Sequence, residues 1–130
     1  MPIKVAVCGT KSVQNENVIN LGFVKNMPEL YNAVDFSILA SNYEPFGLVG
    51  VESILCGTKI IFADNCGCCE VIKNTDNLFF NIRQPETLEQ SLFKADRMKL
   101  ENNYRIDNPQ DYILYHPTLS HHIDKLLEII

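Results

Sequence analysis

The stretch SNYEPFGLVGVESILCGTKIIFADNCGCCEVI, residues 41–72, decides how the chain folds. Its first half carries Phe46, Leu48, Val49, Val51, Ile54 and Leu55, an apolar density that predicts a buried helix over residues 45–56. Gly57 then stops it. The second half contains KIIFAD, residues 59–64, a continuous apolar run of strand length. Two glycines, Gly47 and Gly50, fall inside the expected helix, where each costs about 1 kcal/mol relative to alanine. Two carboxylates accompany it, Glu44 just before the helix and Glu52 about two turns in. Neither feature helps a helix form, so each asks for another reason.

Outward from this stretch, strands and helices alternate. IKVAVCG (residues 3–9), VINLGFV (18–24, with a break at Gly22), VDFSILAS (34–41) and NLFFNI (77–82) read as further strands. MPELYNA (27–33) reads as a short helix with Pro28 in its first turn, and CCEVIKN (68–74) as another. Residues 84–103 form an amphipathic helix with Pro85 and Glu86 at its start, where proline and acid are favoured. Residues 108–117 read as irregular, and residues 118–130 as a last amphipathic helix. The strands are unbroken apolar runs rather than alternating ones. That pattern predicts one α/β domain: a Rossmann-like parallel sheet with helices on both faces.

The 130 residues suit a single domain, and 46% hydrophobic content supplies a core. A net charge of -5 argues against a protein that coats nucleic acid or an anionic membrane. It leaves room for a local phosphate site built from backbone amides. Five cysteines in no disulfide layout, no secretory signal and no apolar run of membrane-spanning length point to a reducing, cytoplasmic setting. Cys66, Cys68 and Cys69 lack the C-x2-C pairs of structural zinc sites, so no metal is assigned to them. They are expected as free thiols near the ligand edge of the sheet, and Cys8 and Cys56 as small core residues. His121 and His122 fall on the last helix and receive no catalytic role.

Ligands of open parallel sheets sit at the carboxyl ends of the strands. ASNYEPFG, residues 40–47, lies there. With Pro45 in the first helical turn, the amides of Phe46, Gly47 and Leu48 would point along the helix axis and form an anion site. Gly47 would remove a side chain that holds a phosphate off, whereas close helix–sheet packing accounts better for Gly50. Glu44 and Glu52 are eight residues apart, roughly 12 Å along a helix. A sugar could lie near Glu44 and a ribose near Glu52, since ionised carboxylates accept hydrogen bonds from vicinal hydroxyls. The plainer readings are a surface glutamate at Glu52 and an acid favoured by the helix dipole at Glu44.

These residues reach a family. EPFGLVGVE resembles the Glu-x7-Glu motif of retaining GT-B glycosyltransferases of the glycogen-synthase and family-4 type. VINLGFVKNMPELYNAVDFSILAS resembles the strand–helix–strand that leads into it, and VESILCGTKIIFADNCGCCEVIKNTDNLFF the segment that follows, so residues 18–80 match in order and spacing. The resemblance implies the C-terminal, donor-binding half of a two-domain enzyme, here an N-terminally truncated fragment. Such an enzyme moves a sugar from a nucleoside-diphosphate sugar, with UDP-hexose the default, to an acceptor hydroxyl with retention and without metal or other cofactor. It implies Glu44 facing the donor sugar, Glu52 on the ribose, amides of Phe46, Gly47 and Leu48 on the sugar and phosphate, and Val24 near the base. The implied setting is surface polysaccharide or lipopolysaccharide synthesis, peripheral to the inner face of the membrane, on a glycan or lipid-linked acceptor bound through the absent half.

The chain departs from the family in several places. An earlier strand and helix with a basic residue, and the acceptor domain, are not in it. Cys66 replaces one glycine of a usual pair, and Ser53 stands where alanine usually follows the second glutamate. These departures imply that the chain alone is inactive and that its exposed apolar edge favours self-association. The alternative is a non-catalytic nucleotide-binding module or partner subunit. A nucleotide-sugar epimerase is disfavoured by the PFG core of the motif.

Overall fold

The computed structural model describes residues 2–41, 47–73, 76, 78–114 and 127–128. Among these residues, five strands and three α-helices run in the order β1 (Val5–Cys8), β2 (Val18–Gly22), α1 (Met27–Ala33), β3 (Ser37–Leu39), α2 (Leu48–Leu55), β4 (Ile60–Ala63), β5 (Phe79–Phe80) and α3 (Pro85–Leu100). All described pairings between these strands are parallel. β3, β4 and β5 form one sheet in that order, and β1 and β2 form a second. The expected Rossmann-like α/β architecture is what the chain adopts: parallel sheets flanked by helices.

β4 shows why. Ile60, Ile61, Phe62 and Ala63 are all buried. Alternate residues of a strand point to opposite faces, so both faces of β4 are covered. α2 packs on β3 and β4, and α3 packs on β5. α3 presents Leu88, Ser91, Leu92, Ala95 and Met98 as one stripe at helical spacing. Its Ser91 hydroxyl donates to the Phe79 carbonyl at 3.1 Å, tying the helix to β5. Asn26 caps α1 by accepting from the Glu29 amide at 3.2 Å. The core runs from Val51 to Ile113 around β4.

Lys59, at the entrance to β4, is 3% exposed. Its ammonium pairs with Asp76 at 3.0 Å, donates to the Asn103 carbonyl at 3.2 Å and lies 5.9 Å from the centroid of the Tyr112 ring. A buried cation requires such partners.

Three expectations are corrected. The helix expected over 68–74 is a 3₁₀ turn, Gly67–Glu70. The chain leaves it to make an antiparallel bridge between Ile72 and Ile113, flanked by Lys73 N–H to Tyr112 O and Leu114 N–H to Val71 O, both 2.8 Å. That pairing takes the Lys73 amide and the Val71 carbonyl, which a longer helix would have used. The segment 108–117, expected irregular, holds a second 3₁₀ turn, Pro109–Tyr112, capped by the Asn108 side chain. Cys8, expected in the core, is exposed, and Cys56 is half-buried. Cys8 alternates outward on β1, in a sheet with no buried residue. The last helix, with His121 and His122, lies outside the described residues except for Leu127 and Glu128.

Candidate donor site

α2 follows the carboxyl end of β3, and the Gly67–Glu70 turn follows that of β4. Both therefore lie at the ligand edge of a parallel sheet. Glu44 and Phe46 fall outside the described residues, so the expected site is seen through Gly47, Leu48, Glu52 and Val24.

The start of α2 differs from the expectation. Gly47 is not inside the helix but caps it, at φ 84° and ψ 62°. That left-handed conformation explains the glycine directly, because a Cβ is strained there. The first helical residue is Leu48, and the Gly50 amide turns back to the Gly47 carbonyl at 2.9 Å. By helix geometry the amides of Gly47, Leu48 and Val49 have no acceptor within the helix. The amide set is thus shifted one residue along from Phe46, Gly47 and Leu48. Gly47 is buried, whereas Leu48 is 59% exposed.

Gly50 has the packing role expected of it. A Cβ there would stand 3.0 Å from Cys68 Sγ, 3.3 Å from Ile72 Cδ1 and 3.5 Å from Ile60 Cδ1. The helix therefore rests directly on the turn after β4. Cys66 and Cys68 are buried and Cys69 is half-buried. Burial, then the neighbouring Cys66, pushes the Cys69 thiol up, away from the thiolate form. These cysteines pack the floor of the edge. Among the described residues, no three His, Cys, Asp or Glu side chains converge as a metal site.

Glu52 is half-buried. Its Oε2 accepts a hydrogen bond from the Tyr31 hydroxyl at 3.2 Å. Tyr31 is 3% exposed. Burial, then the Glu52 charge, pushes its phenol well above the usual tyrosine range, so it remains a donor. The contact joins α1 to α2 and is no accident of a mobile surface. Thr58 Oγ1 donates to the Tyr31 carbonyl and accepts from Arg105 Nη1 at 2.9 Å. Ser53, next to Glu52, donates to the Thr58 carbonyl at 2.9 Å and lies 2.8 Å from the Ser37 hydroxyl. Ser53 is fully buried and pins α2 to β3, which gives a structural reason for serine where the resembled family usually has alanine.

Val24 is half-buried in the turn between β2 and α1. Sequence reasoning missed Tyr31 as part of this group. Twenty-one residues separate it from Glu52, and the one available signal was a lone aromatic on the short helix that leads into the motif.

Residues 8–109 match the family described as glycosyl transferases group 1. The chain belongs to that family, and a GT-B glycosyltransferase domain is the class its parallel sheets and motif define. It is 37% identical over 131 aligned residues to a probable transglycosylase of Burkholderia thailandensis, an alignment covering 98% of this chain and 36% of that relative. It is also 37% identical over 62 residues to a glycosyltransferase of Methanocaldococcus jannaschii, covering 46% of this chain and 16% of the relative. A mannosylfructose-phosphate synthase of Agrobacterium fabrum is 33% identical over 48 residues, 37% of this chain and 11% of the relative. The chain thus spans about a third of the first relative's length, at 36%. No helix among the described residues is long and apolar enough to cross a membrane.

Proposed function

We propose that this chain is the donor-binding part of a retaining glycosyltransferase of the glycogen-synthase and family-4 type. Its donor is a nucleoside-diphosphate sugar, with UDP-hexose the first to test, and its acceptor is a glycan or lipid-linked hydroxyl. The reading includes surface polysaccharide or lipopolysaccharide synthesis at the inner face of the membrane. Glu44 faces the donor sugar. Glu52 accepts from the ribose hydroxyls, and Val24 lies toward the base. The amides of Gly47, Leu48 and Val49 at the start of α2, with that of Phe46 before them in the chain, meet the sugar and the diphosphate, whose charge the helix dipole favours. Those amides and that dipole already supply positive potential, and the reading needs no metal.

The observation that carries this reading is a half-buried carboxylate, Glu52, on the helix whose uncapped amides open at the carboxyl edge of the sheet. The Tyr31 hydroxyl satisfies one of its acceptor sites, and a charge at that depth costs free energy unless the others are used or solvated. The test is a titration of the chain with UDP, GDP, ADP and UDP-hexoses, followed by the amide resonances of Gly47, Leu48 and Val49. Selective shifts for one nucleotide, weakened about tenfold or more by Glu52→Gln, are expected. That factor corresponds to the roughly 1.5–3 kcal/mol of a charged hydrogen bond. Absence of shifts for every nucleotide would overturn the donor-site reading of this chain.

A further inference from the structure

We infer that Tyr31 is a positioning residue for nucleotide recognition: its hydroxyl fixes the plane of the Glu52 carboxylate so that the remaining acceptor sites are set for the ribose diol. The inference rests on the donor-site reading of Glu52 above and adds a residue to it.

The geometry has three parts. Tyr31 Oη is 3.2 Å from Glu52 Oε2, and this bond uses one of about four acceptor directions of the carboxylate. Tyr31 is only 3% exposed, so the ring cannot swing to solvent for another partner. Both ends are held through Thr58: its hydroxyl, braced by Arg105, donates to the Tyr31 carbonyl, and its carbonyl accepts from Ser53, the neighbour of Glu52 on α2. A glutamate side chain free in solvent rotates about its terminal bond over a broad range. One oriented donor on one oxygen removes that freedom before a ligand arrives. Two vicinal hydroxyls need two acceptor directions at a fixed angle, so a pre-set carboxylate plane favours a ribose over a sugar with one hydroxyl. Tyr31 itself does not touch the ligand.

A purely structural role makes a different prediction. A buried phenol needs a hydrogen-bond partner whatever the function. Loss of the hydroxyl would then lower stability and leave ligand selectivity alone. The measurement that separates the two is the affinity ratio between a ribonucleoside diphosphate and its 2′-deoxy form, for UDP, GDP and ADP, in the unmodified chain and in Tyr31→Phe. Thermal unfolding of both proteins reports stability alongside. The unmodified chain is expected to prefer the ribonucleotide by about tenfold, the worth of one charged hydrogen bond. Tyr31→Phe is expected to reduce that preference to within about threefold while diphosphate-dependent binding of the 2′-deoxy form persists. Tyr31→Met, which also lacks the donor, must behave alike and serves if the phenylalanine variant does not fold. A full ribose preference in either folded variant overturns the inference and leaves Glu52 as a ribose ligand. No ribose preference in the unmodified chain removes that role of Glu52, and the inference with it.

Discussion

Gly50→Ala separates packing from helix propensity. At an open helical position this substitution stabilises by about 1 kcal/mol, because alanine gives up less backbone freedom than glycine. At Gly50 the new Cβ arrives 3.0 Å from Cys68 Sγ and 3.3 Å from Ile72 Cδ1, inside the spacing of about 3.5–4.0 Å that non-bonded heavy atoms prefer. Cys68 is fully buried, and its carbonyl accepts from both Val71 and Ile72 amides at 3.1 and 3.0 Å. The thiol cannot retreat without moving that turn. Overpacking of this kind costs about 1–3 kcal/mol, so the net change is a destabilisation of about 1 kcal/mol, read as a lower urea midpoint at unchanged slope. Cys68→Ala removes the sulfur and itself destabilises by about 1–2 kcal/mol. In that background Gly50→Ala should turn stabilising, giving a coupling of about 2 kcal/mol between the two sites. If Gly50→Ala stabilises the unmodified chain by about 1 kcal/mol, or behaves identically in both backgrounds, the close contact does not govern this position.

Ser53→Ala removes a hydroxyl bonded to the Thr58 carbonyl in the interior and lying near the half-buried Ser37 hydroxyl. Chemical denaturation should show a loss of about 1–3 kcal/mol, the cost of stranding buried partners, and nucleotide affinity should fall only as far as Glu52 shifts. Asp76→Asn keeps a side chain tolerant of the positive φ of 55° there but leaves the Lys59 ammonium without its counter-charge. A loss of about 3 kcal/mol is expected, and Lys59→Met in the same protein should recover a large part of it. The pH dependence has a definite sign. The folded state raises Tyr31 above its ordinary value of 10.0, so its contribution is full below pH 10 and is lost as pH rises toward the folded value. Cys69, raised from its ordinary 9.0, acts in the same direction. Stability measured from pH 8 upward should therefore decline, and Tyr31→Phe should decline less steeply above pH 10; identical slopes would count against a buried phenol.

Much of this architecture was legible because burial on both faces leaves an unmistakable record. Ile60 to Ala63 must be apolar at every position, and they are. The apolar stripe on α3 likewise announces its helix, and Asn26, Pro28 and Glu29 mark the start of α1. What stayed hidden depended on backbone signs and distant partners. A glycine at positive φ and a glycine in mid-helix look alike in a sequence, so the helix expected from residue 45 takes in Gly47, which instead caps it. The turn at Cys68 was read as a helix because its stop is a bridge to Ile113, far along the chain. Cys8 was placed in the core because an apolar strand suggests cover, yet no described residue of β1 or β2 is buried. The spacing from Glu44 singles out Glu52 in the sequence, whereas the partner Tyr31 needs coordinates. The motif thus pointed to the carboxylate, and only the packing of α1 against α2 showed what holds it.

The division into two sheets sets an order of opening. Among residues 2–30 none is buried, and the first fully enclosed side chain is Tyr31. The ladder between β1 and β2 is therefore sustained by backbone bonds with little desolvated apolar area behind them. Such a unit releases its protons to solvent by small, local excursions, whereas β4 does so only when the whole core comes apart. Amide exchange along the chain should then fall into two tiers, fast for residues 5–22 and slow for residues 60–63. Tyr31 stands at the border between the tiers. The residue that orients Glu52 is thus also the first point at which the chain becomes committed to one cooperative structure.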